Sequence, residues 1–326
     1  MLITQTPLRI SFAGGGTDLA AYYRLSPGAV LSSAIDKFVY VILNQRFDDK
    51  IYISYSKKEI VDTVDEIQHE LVREAMRMTG VKNSIEIAIM ADIPSAGSGL
   101  GSSSSLTVGL LNAFYTFRGI QVSTEQLAQE ACRIEVDICG KAMGKQDEYI
   151  AAYGGLQFIE FNPDETVSAK RIEADRQRFS SGLMLFFTDV TRKADPILRE
   201  QETNTEAKKD FLDGIRGLAD EAKEAAKTQD YHRIGNILAR NWEMKKELAG
   251  GITKPEIDEM VSRAMAGGAD GCKICGAGGG GFLLTACAPE KTDRLRKAMS
   301  GYREMPFFLE RLGSRVIFNV ESYEWK

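Results

Sequence analysis

The sequence predicts an α+β fold in two domains, with sheets covered by helices on one side. Three observations point there. The chain has 326 residues, long for one core and comfortable for two. Its first half alternates short apolar, β-branched runs with helical patterns. From Glu202 to about Gly267 the second half becomes largely helical and rich in Ala, Glu, Lys and Leu. A boundary near residue 180 gives domains of residues 1–180 and 181–326.

The elements follow in order. Leu8–Ala13, Val39–Leu43, Ile51–Tyr55 and Ser84–Met90 read as strands, because apolar or β-branched residues alternate or cluster there. Val64–Thr79 reads as a helix, and Leu106–Phe117 as a helix buried on most sides. Glu125–Ile138 carries Leu127, Ala131, Ile134 and Ile138 on one stripe, the mark of a helix with one apolar face. Gly155–Phe161 returns to strand and Asn162-Pro163-Asp164 makes a turn. In the second half Gly182–Thr188, Phe282–Ala286 and Arg315–Val320 are expected strands. Gly250-Gly251 breaks the helical stretch, and Pro255 opens a new helix near its first turn. Trp242 with Lys245 and Lys246 reads as a helix with one buried aromatic and two exposed lysines.

The bulk numbers narrow the function. Hydrophobic residues at 44% and charged residues at 27% give an ordinary globular balance. A net charge of -5 supplies no general field for nucleic acid or an anionic membrane, so neither is an expected partner and any polyanion needs a local site. The first residues lack a basic start followed by an apolar run, and stretches such as Leu183–Phe187 are too short to span a bilayer. Five irregularly spaced cysteines argue against a disulfide framework. Cys272 and Cys275 form one CxxC, but without a second pair, and with only His69 and His232 available, zinc is not expected. A reduced, cytoplasmic setting fits these features.

Three glycine clusters carry the chemistry. In the first, a strand through Arg9 ends in Gly14-Gly15-Gly16-Thr17-Asp18. Glycines let a ligand approach the backbone, and a carboxylate such as Asp18 accepts from vicinal sugar hydroxyls. The second runs from Pro94 through Gly97, Ser98, Gly99, Leu100, Gly101, Ser102, Ser103, Ser104 and Ser105 into the apolar helix. Small residues at a helix start leave amides free to bind an anion, assisted by the helix dipole. No lysine follows these glycines, so this is not a Walker A loop. Gly97, Gly99 and Gly101 also have the wrong spacing for a dinucleotide fingerprint. The third, Gly276, Gly278, Gly279, Gly280 and Gly281 before Phe282, is costly in backbone entropy, which points to backbone pressed against a ligand or another loop.

In this order the clusters resemble the three motifs of the GHMP kinases, the superfamily of galactokinase, homoserine kinase and mevalonate kinase. Pro94 to Ser103 is similar to its central motif, Pro-x-x-x-Gly-Leu-x-Ser-Ser. Within the superfamily the sequence looks most like the bacterial D-glycero-D-manno-heptose 7-phosphate kinases and the fucokinase-type enzymes. That likeness rests on Arg9–Asp18, Gly144-Lys145-Gln146-Asp147, Ala151–Gly155 and Trp242–Lys246, and spans nearly the whole chain. Two positions depart from it: Asp189 stands where glycine is expected, and Glu148 where glutamine is usual.

The resemblance implies a ribosomal-protein-S5-domain-2-like N-terminal domain and a ferredoxin-like C-terminal domain with the active site between them. It implies ATP and Mg²⁺ as cofactors, with Ser103 and Glu135 as metal ligands and the triphosphate on residues 97–104. Glu130, Glu135 and Asp137 could equally form a solvated helix face. Asp147 is the catalytic residue, as base or orienting acceptor, with Arg9 paired to it. Gly14, Gly15, Gly16, Thr17 and Asp18, with Asp147, are assigned to a sugar. For an acceptor carrying its own phosphate, Arg192 and Lys193 are the candidate anchors, ahead of Lys145. The acceptors implied are a heptose 7-phosphate first, then L-fucose, galactose or mevalonate. A ligand sensor on the same fold is the non-enzymatic reading, and a homodimer is compatible with the sequence.

Overall fold

The computed structural model describes residues 1–94, 97–190 and 194–320. The large sheet begins with β1 (Leu2–Ala13), followed by the short α1 (Ala20–Tyr23) and the long β2 (Gly28–Gln45). Next come β3 (Ile51–Ser54), β4 (Lys58–Val61), α2 (Glu70–Thr79) and β5 (Ile85–Ala91). Helices α3 (Ser102–Phe117), α4 (Thr124–Cys132) and α5 (Gln146–Tyr153) precede β6 (Leu156–Phe161), β7 (Val167–Arg171) and α6 (Arg176–Ser181). The second half holds β8 (Leu183–Phe187), α7 (Asp195–Asn204), α8 (Lys209–Thr228), α9 (Tyr231–Lys246) and α10 (Pro255–Ala266). The chain then forms the β9 (Gly271–Ile274) and β10 (Phe282–Ala286) hairpin, α11 (Thr292–Ala298) and β11 (Arg315–Asn319).

The large sheet runs β11-β1-β2-β5-β3-β4, with β6 and β7 added beside β2. The far half of β2 pairs with β5 and its near half with β6, so one long strand serves two neighbours. The small sheet runs β8-β10-β9. A bridge from Phe186 to Glu304 adds the segment after α11 beside β8. The spatial order, last, first, third, second, is that of a ferredoxin-like sheet.

Several boundaries differ from the sequence expectation. α3 starts at Ser102 rather than Leu106, because Gly101 in the left-handed region (φ 77°) turns the chain straight into the serine run. The 125–138 helix is α-helical only to Cys132; Arg133–Ile138 continues it with π winding. The 64–79 helix divides into a 3₁₀ turn, Val64–Glu66, and α2, because the Glu59 carboxylate takes the Gln68 and His69 amides. β11 pairs with β1, so the end of the chain joins the first sheet although it follows the residue-180 division. Asp189, exposed in Thr188-Asp189-Val190, adopts φ 55°, the conformation that makes glycine the expected residue there.

Three apolar clusters hold the molecule. One lies between the large sheet and α2, α3, α4 and α5. Another joins Leu8, Ile10 and Phe12 of β1 to Ala222 of α8, Leu238 of α9 and Leu284 of β10, locking the two halves together. A third fills the second half around Trp242, with Cys272 packed in it as a small apolar residue. Because strand side chains alternate, burying Leu8, Ile10 and Phe12 sends Arg9 and Ser11 to the opposite face. That face is the floor of a cleft between the halves.

Candidate active site

The cleft has a volume of about 610 Å³, enough for a small ligand and the phosphates of a second. Its wall is built from the end of β1, the start of α3, the start of α5 and the β9–β10 loop. At its centre Arg9 forms a two-pronged ion pair with Asp147: Nε to Oδ1 and Nη2 to Oδ2, both 2.6 Å. The remaining prong, Nη1, donates to Gly99 O at 2.6 Å. Arg9 is buried, and such forked, charge-assisted pairs are among the stronger polar contacts.

The serine-rich turn lies directly on this pair. A Cβ on Gly101 would sit 3.2 Å from Arg9 Cγ and 3.3 Å from Asp147 Oδ2. No side chain caps α3, so its first amides are left for a ligand. Gly97, Ser98, Gly99, Gly101, Ser102 and Ser103 line the cleft. Pro94, Leu100 and Ser104, expected in the nucleotide site, do not. Pro94 is exposed, Leu100 is buried in the core that joins the halves, and Ser104 Oγ donates inward to Glu148.

The third glycine loop braces the second. A Cβ on Gly99 would meet Cys275 O at 2.5 Å, and one on Gly276 would meet Gly99 Cα at 2.7 Å. The backbones touch, and no side chain fits between them. Gly276, Gly278 and Gly280 line the cleft. Gly279 instead ties the loop back by donating to Ile252 O at 2.7 Å.

On the proposed sugar side, Gly15, Gly16 and Asp18 line the cleft. Gly14 and Thr17 do not. Gly14 is packed against the Ala29 carbonyl, and Thr17 Oγ1 donates to Gly14 O and accepts from the Ala29 amide, which pins the loop to β2. Asp18 accepts from the Gly16 amide at 2.9 Å and from Gln146 Nε2 at 3.0 Å. Burial pushes its carboxyl above the usual range, against the pull of those bonds. Two buried acceptors on the wall, Ser11 Oγ and Gln146 Oε1, have no partner among the described residues. Sequence reasoning passed over both. Ser11 was findable, because it is two residues along β1 from Arg9 and shares its face.

Other expectations need correction. Lys245 is 5% exposed rather than solvated, and it lines the cleft with Lys273 of β9. Lys145 is engaged elsewhere, in a 2.6 Å contact with Glu165 and over the Tyr23 ring. Arg192 and Lys193 lie outside the described residues. Glu135 is fully buried and not on a solvated face: Thr107 Oγ1 donates to one oxygen at 2.9 Å and Lys141 Nζ lies 3.1 Å from the other. Glu148 is fully buried too, and its Oε2 has no partner among the described residues. Burial, reinforced by nearby Glu135 and Asp147, holds its carboxyl well above the ordinary range. A neutral carboxylic acid is close in shape and polarity to glutamine, which accounts for Glu148 standing in a glutamine position.

Phosphoryl transfer to a hydroxyl requires an anion cradle beside a fixed acidic group. The fold and site together define an ATP-using phosphotransferase with an alcohol acceptor. The chain belongs to the GHMP kinases. The family model "GHMP kinases N terminal domain" matches residues 43–155 and "GHMP kinases C terminal" matches residues 222–303. A D-glycero-alpha-D-manno-heptose 7-phosphate kinase of Campylobacter jejuni is 31% identical over 91% of this chain and 92% of its own length. Among solved structures, a D-glycero-D-manno-heptose 1-phosphate kinase from Bacteroides thetaiotaomicron superposes with a TM-score of 0.82 at 23% identity, over 99% of this chain and all of that one. A structure described as a "Putative Sugar Kinase" from Campylobacter jejuni gives 0.76 at 26% identity over 97% of both chains. Among the described residues, no helix is long and apolar enough to cross a membrane.

Proposed function

We propose that this kinase transfers the γ-phosphoryl group of ATP to a sugar hydroxyl, and that the acceptor is D-glycero-D-manno-heptose 7-phosphate. The anomeric C1 hydroxyl is the site of attack and the 1,7-bisphosphate the product. The observation that carries the reading is the contact of Gly101 with the Arg9–Asp147 pair. That contact supports a triphosphate on the α3 amides with its end beside a carboxylate. The heptose phosphate rests on the relative from Campylobacter jejuni at 31% identity.

The residues divide the work. Amides of residues 97–99 and 101–103 grip the triphosphate, and Gly15, Gly16, Asp18, Ser11 and Gln146 hold the sugar. Asp147 accepts the proton of the attacking hydroxyl or orients it, and Arg9 fixes that carboxylate while presenting positive charge to the moving phosphoryl group. For Mg²⁺, Ser103 is exposed on the cleft wall, while the Glu135 carboxylate is buried behind that wall, bonded to Thr107 one turn along the same helix and to Lys141, and would hold the ion by exchanging Lys141 for it. A hydroxyl, a carboxylate, phosphate oxygens and water are an ordinary Mg²⁺ donor set. Bound there, the ion would neutralise phosphate charge.

The test is mass spectrometry of products from ATP, Mg²⁺ and a panel of acceptors. The expected product is the heptose 1,7-bisphosphate. Faster turnover of L-fucose, galactose or mevalonate would remove the heptose assignment. Nucleotide binding without phosphorylation of any acceptor would favour a ligand sensor on this fold.

A further inference from the structure

Two lysines are buried on the cleft wall, and among the described residues no carboxylate pairs with either. Lys245, near the end of α9, is 5% exposed, and its ammonium donates to Gly276 O. Lys273, on β9, is 2% exposed and donates to Asn241 Oδ1 at 2.8 Å and Phe12 O at 3.4 Å. The nearby carboxylates are already engaged. Asp147 is gripped at both oxygens by Arg9, and Asp18 is bonded to the Gly16 amide and Gln146. Asp195, the carboxylate of the second half on this cleft, is bonded to Arg199 and to the Ala142 amide, so among the described residues none pairs with the two amines. A buried cation held only by neutral carbonyl oxygens opposes folding, and an incoming anion would offset that.

We propose that Lys245 and Lys273 form a second anion site, separate from the α3 amides, that takes a phosphate group on the second-half side of the cleft. The inference rests on the kinase reading above and deepens it. Two sources supply the same chemistry: the phosphoryl group in transit from the nucleotide, and the phosphate ester that a sugar-phosphate acceptor already carries. Lys245 is attached to the loop that braces Gly99, so a phosphate bound here is held from the second half while the serine turn holds the nucleotide from the first. The groups facing the two amines are Arg9 on β1, Asp18 beyond it, Asp147 on α5 and Cys275 after β9. Burial, then Arg9, lowers Lys245 to about 8; burial, then Lys245, lowers Lys273 to about 7. A phosphate dianion would raise both, so its binding must take up protons.

The test is calorimetric titration of the full chain with ADP, the non-hydrolysable analogue AMPPNP, D-glycero-D-manno-heptose 7-phosphate, the unphosphorylated heptose and inorganic phosphate. Lys245→Met is expected to leave ADP unchanged. If the transferred phosphoryl group is the source, AMPPNP weakens by roughly tenfold or more, the loss expected for one charged hydrogen bond. If the acceptor is the source, the heptose phosphate weakens by that factor and the free heptose does not. Unchanged affinities in both Lys245→Met and Lys273→Met would overturn the proposal. A measurement on the unmodified protein needs no variant: at pH 8, in two buffers of different ionisation heat, phosphate-bearing ligands should bind with net proton uptake, and zero uptake would overturn it. If neither nucleotides nor sugars bind, the kinase reading fails. Inorganic phosphate then decides this site alone: binding lost in Lys245→Met keeps it, and no binding ends it.

Discussion

Replacing Lys245 with methionine should make the protein more stable at neutral pH while weakening its grip on phosphate. Its amine lies at about 8 in the fold against an ordinary 10.5, with burial the largest cause. Between those values the unfolded chain binds the proton and the folded chain does not, so wild-type stability rises with pH across that window. Below about pH 8 the folded state bears the full penalty, about 3 kcal/mol at 1.36 kcal/mol per unit. Methionine has a similar length and no charge, but it forfeits the bond to Gly276 O, about 1 kcal/mol. The net expectation is a gain of about 2 kcal/mol at pH 7 that has vanished by pH 10 to 10.5. Urea unfolding at pH 7 and pH 10, followed by circular dichroism, measures both differences. A variant less stable than wild type at pH 7, or one whose difference is the same at both pH values, would refute the reasoning.

Glu148→Gln should leave turnover within about twofold and raise stability at pH 7, with the gain fading as pH falls toward 4.5. A carboxyl whose value is raised on folding destabilises only where the unfolded chain has ionised; a pH series of melting temperatures reads this, and a gain that grows in acid would contradict it. Gly99→Ala places a Cβ 2.5 Å from the Cys275 carbonyl at φ 73°. It should lower both the melting temperature and, by about tenfold, the turnover, because the two loops must separate; near wild-type values would show that the loops are not mutually braced. Ser103→Ala should raise the Mg²⁺ concentration needed for half-maximal rate several-fold, a modest effect because phosphate oxygens and water supply the other ligands. An unchanged Mg²⁺ titration would remove Ser103 from the metal.

The parts of the site legible in the sequence were those fixed by local backbone chemistry. Glycines at 97, 99 and 101 running into an apolar helix can do little other than expose amides, and Gly101 does cap α3. Arg9 was legible as a charged strand residue, and the structure adds that it faces away from Leu8 and Ile10. The charge pattern on α9 was not. Lys245 and Lys246 are adjacent, and polarity alone sends both to solvent, yet α9 lies against β9 and the rotation that buries Trp242 also buries Lys245. Glu135 was misleading for a similar reason. Its stripe suits a solvated face, but packing of the π-wound turn under α3 buries it against Thr107. The return of β11 to β1 is a pairing across more than three hundred residues, set by the core rather than by any local pattern. The 181–326 division, drawn from the change in helical composition, had no signal for it.

The claim on which the rest depends is that Asp147, fixed by Arg9 against the serine turn, serves the acceptor hydroxyl and not the nucleotide. Asp147→Asn keeps the side-chain shape and removes the charge and proton affinity. Pre-steady-state quench of ATP with D-glycero-D-manno-heptose 7-phosphate, alongside titration with AMPPNP, separates chemistry from binding. The account predicts a fall in the chemical step of about a hundredfold or more, typical of losing a positioned acid–base group, with AMPPNP affinity within a few-fold. A variant that transfers phosphate at near wild-type rate, or one that loses nucleotide binding in proportion to its rate, would contradict it.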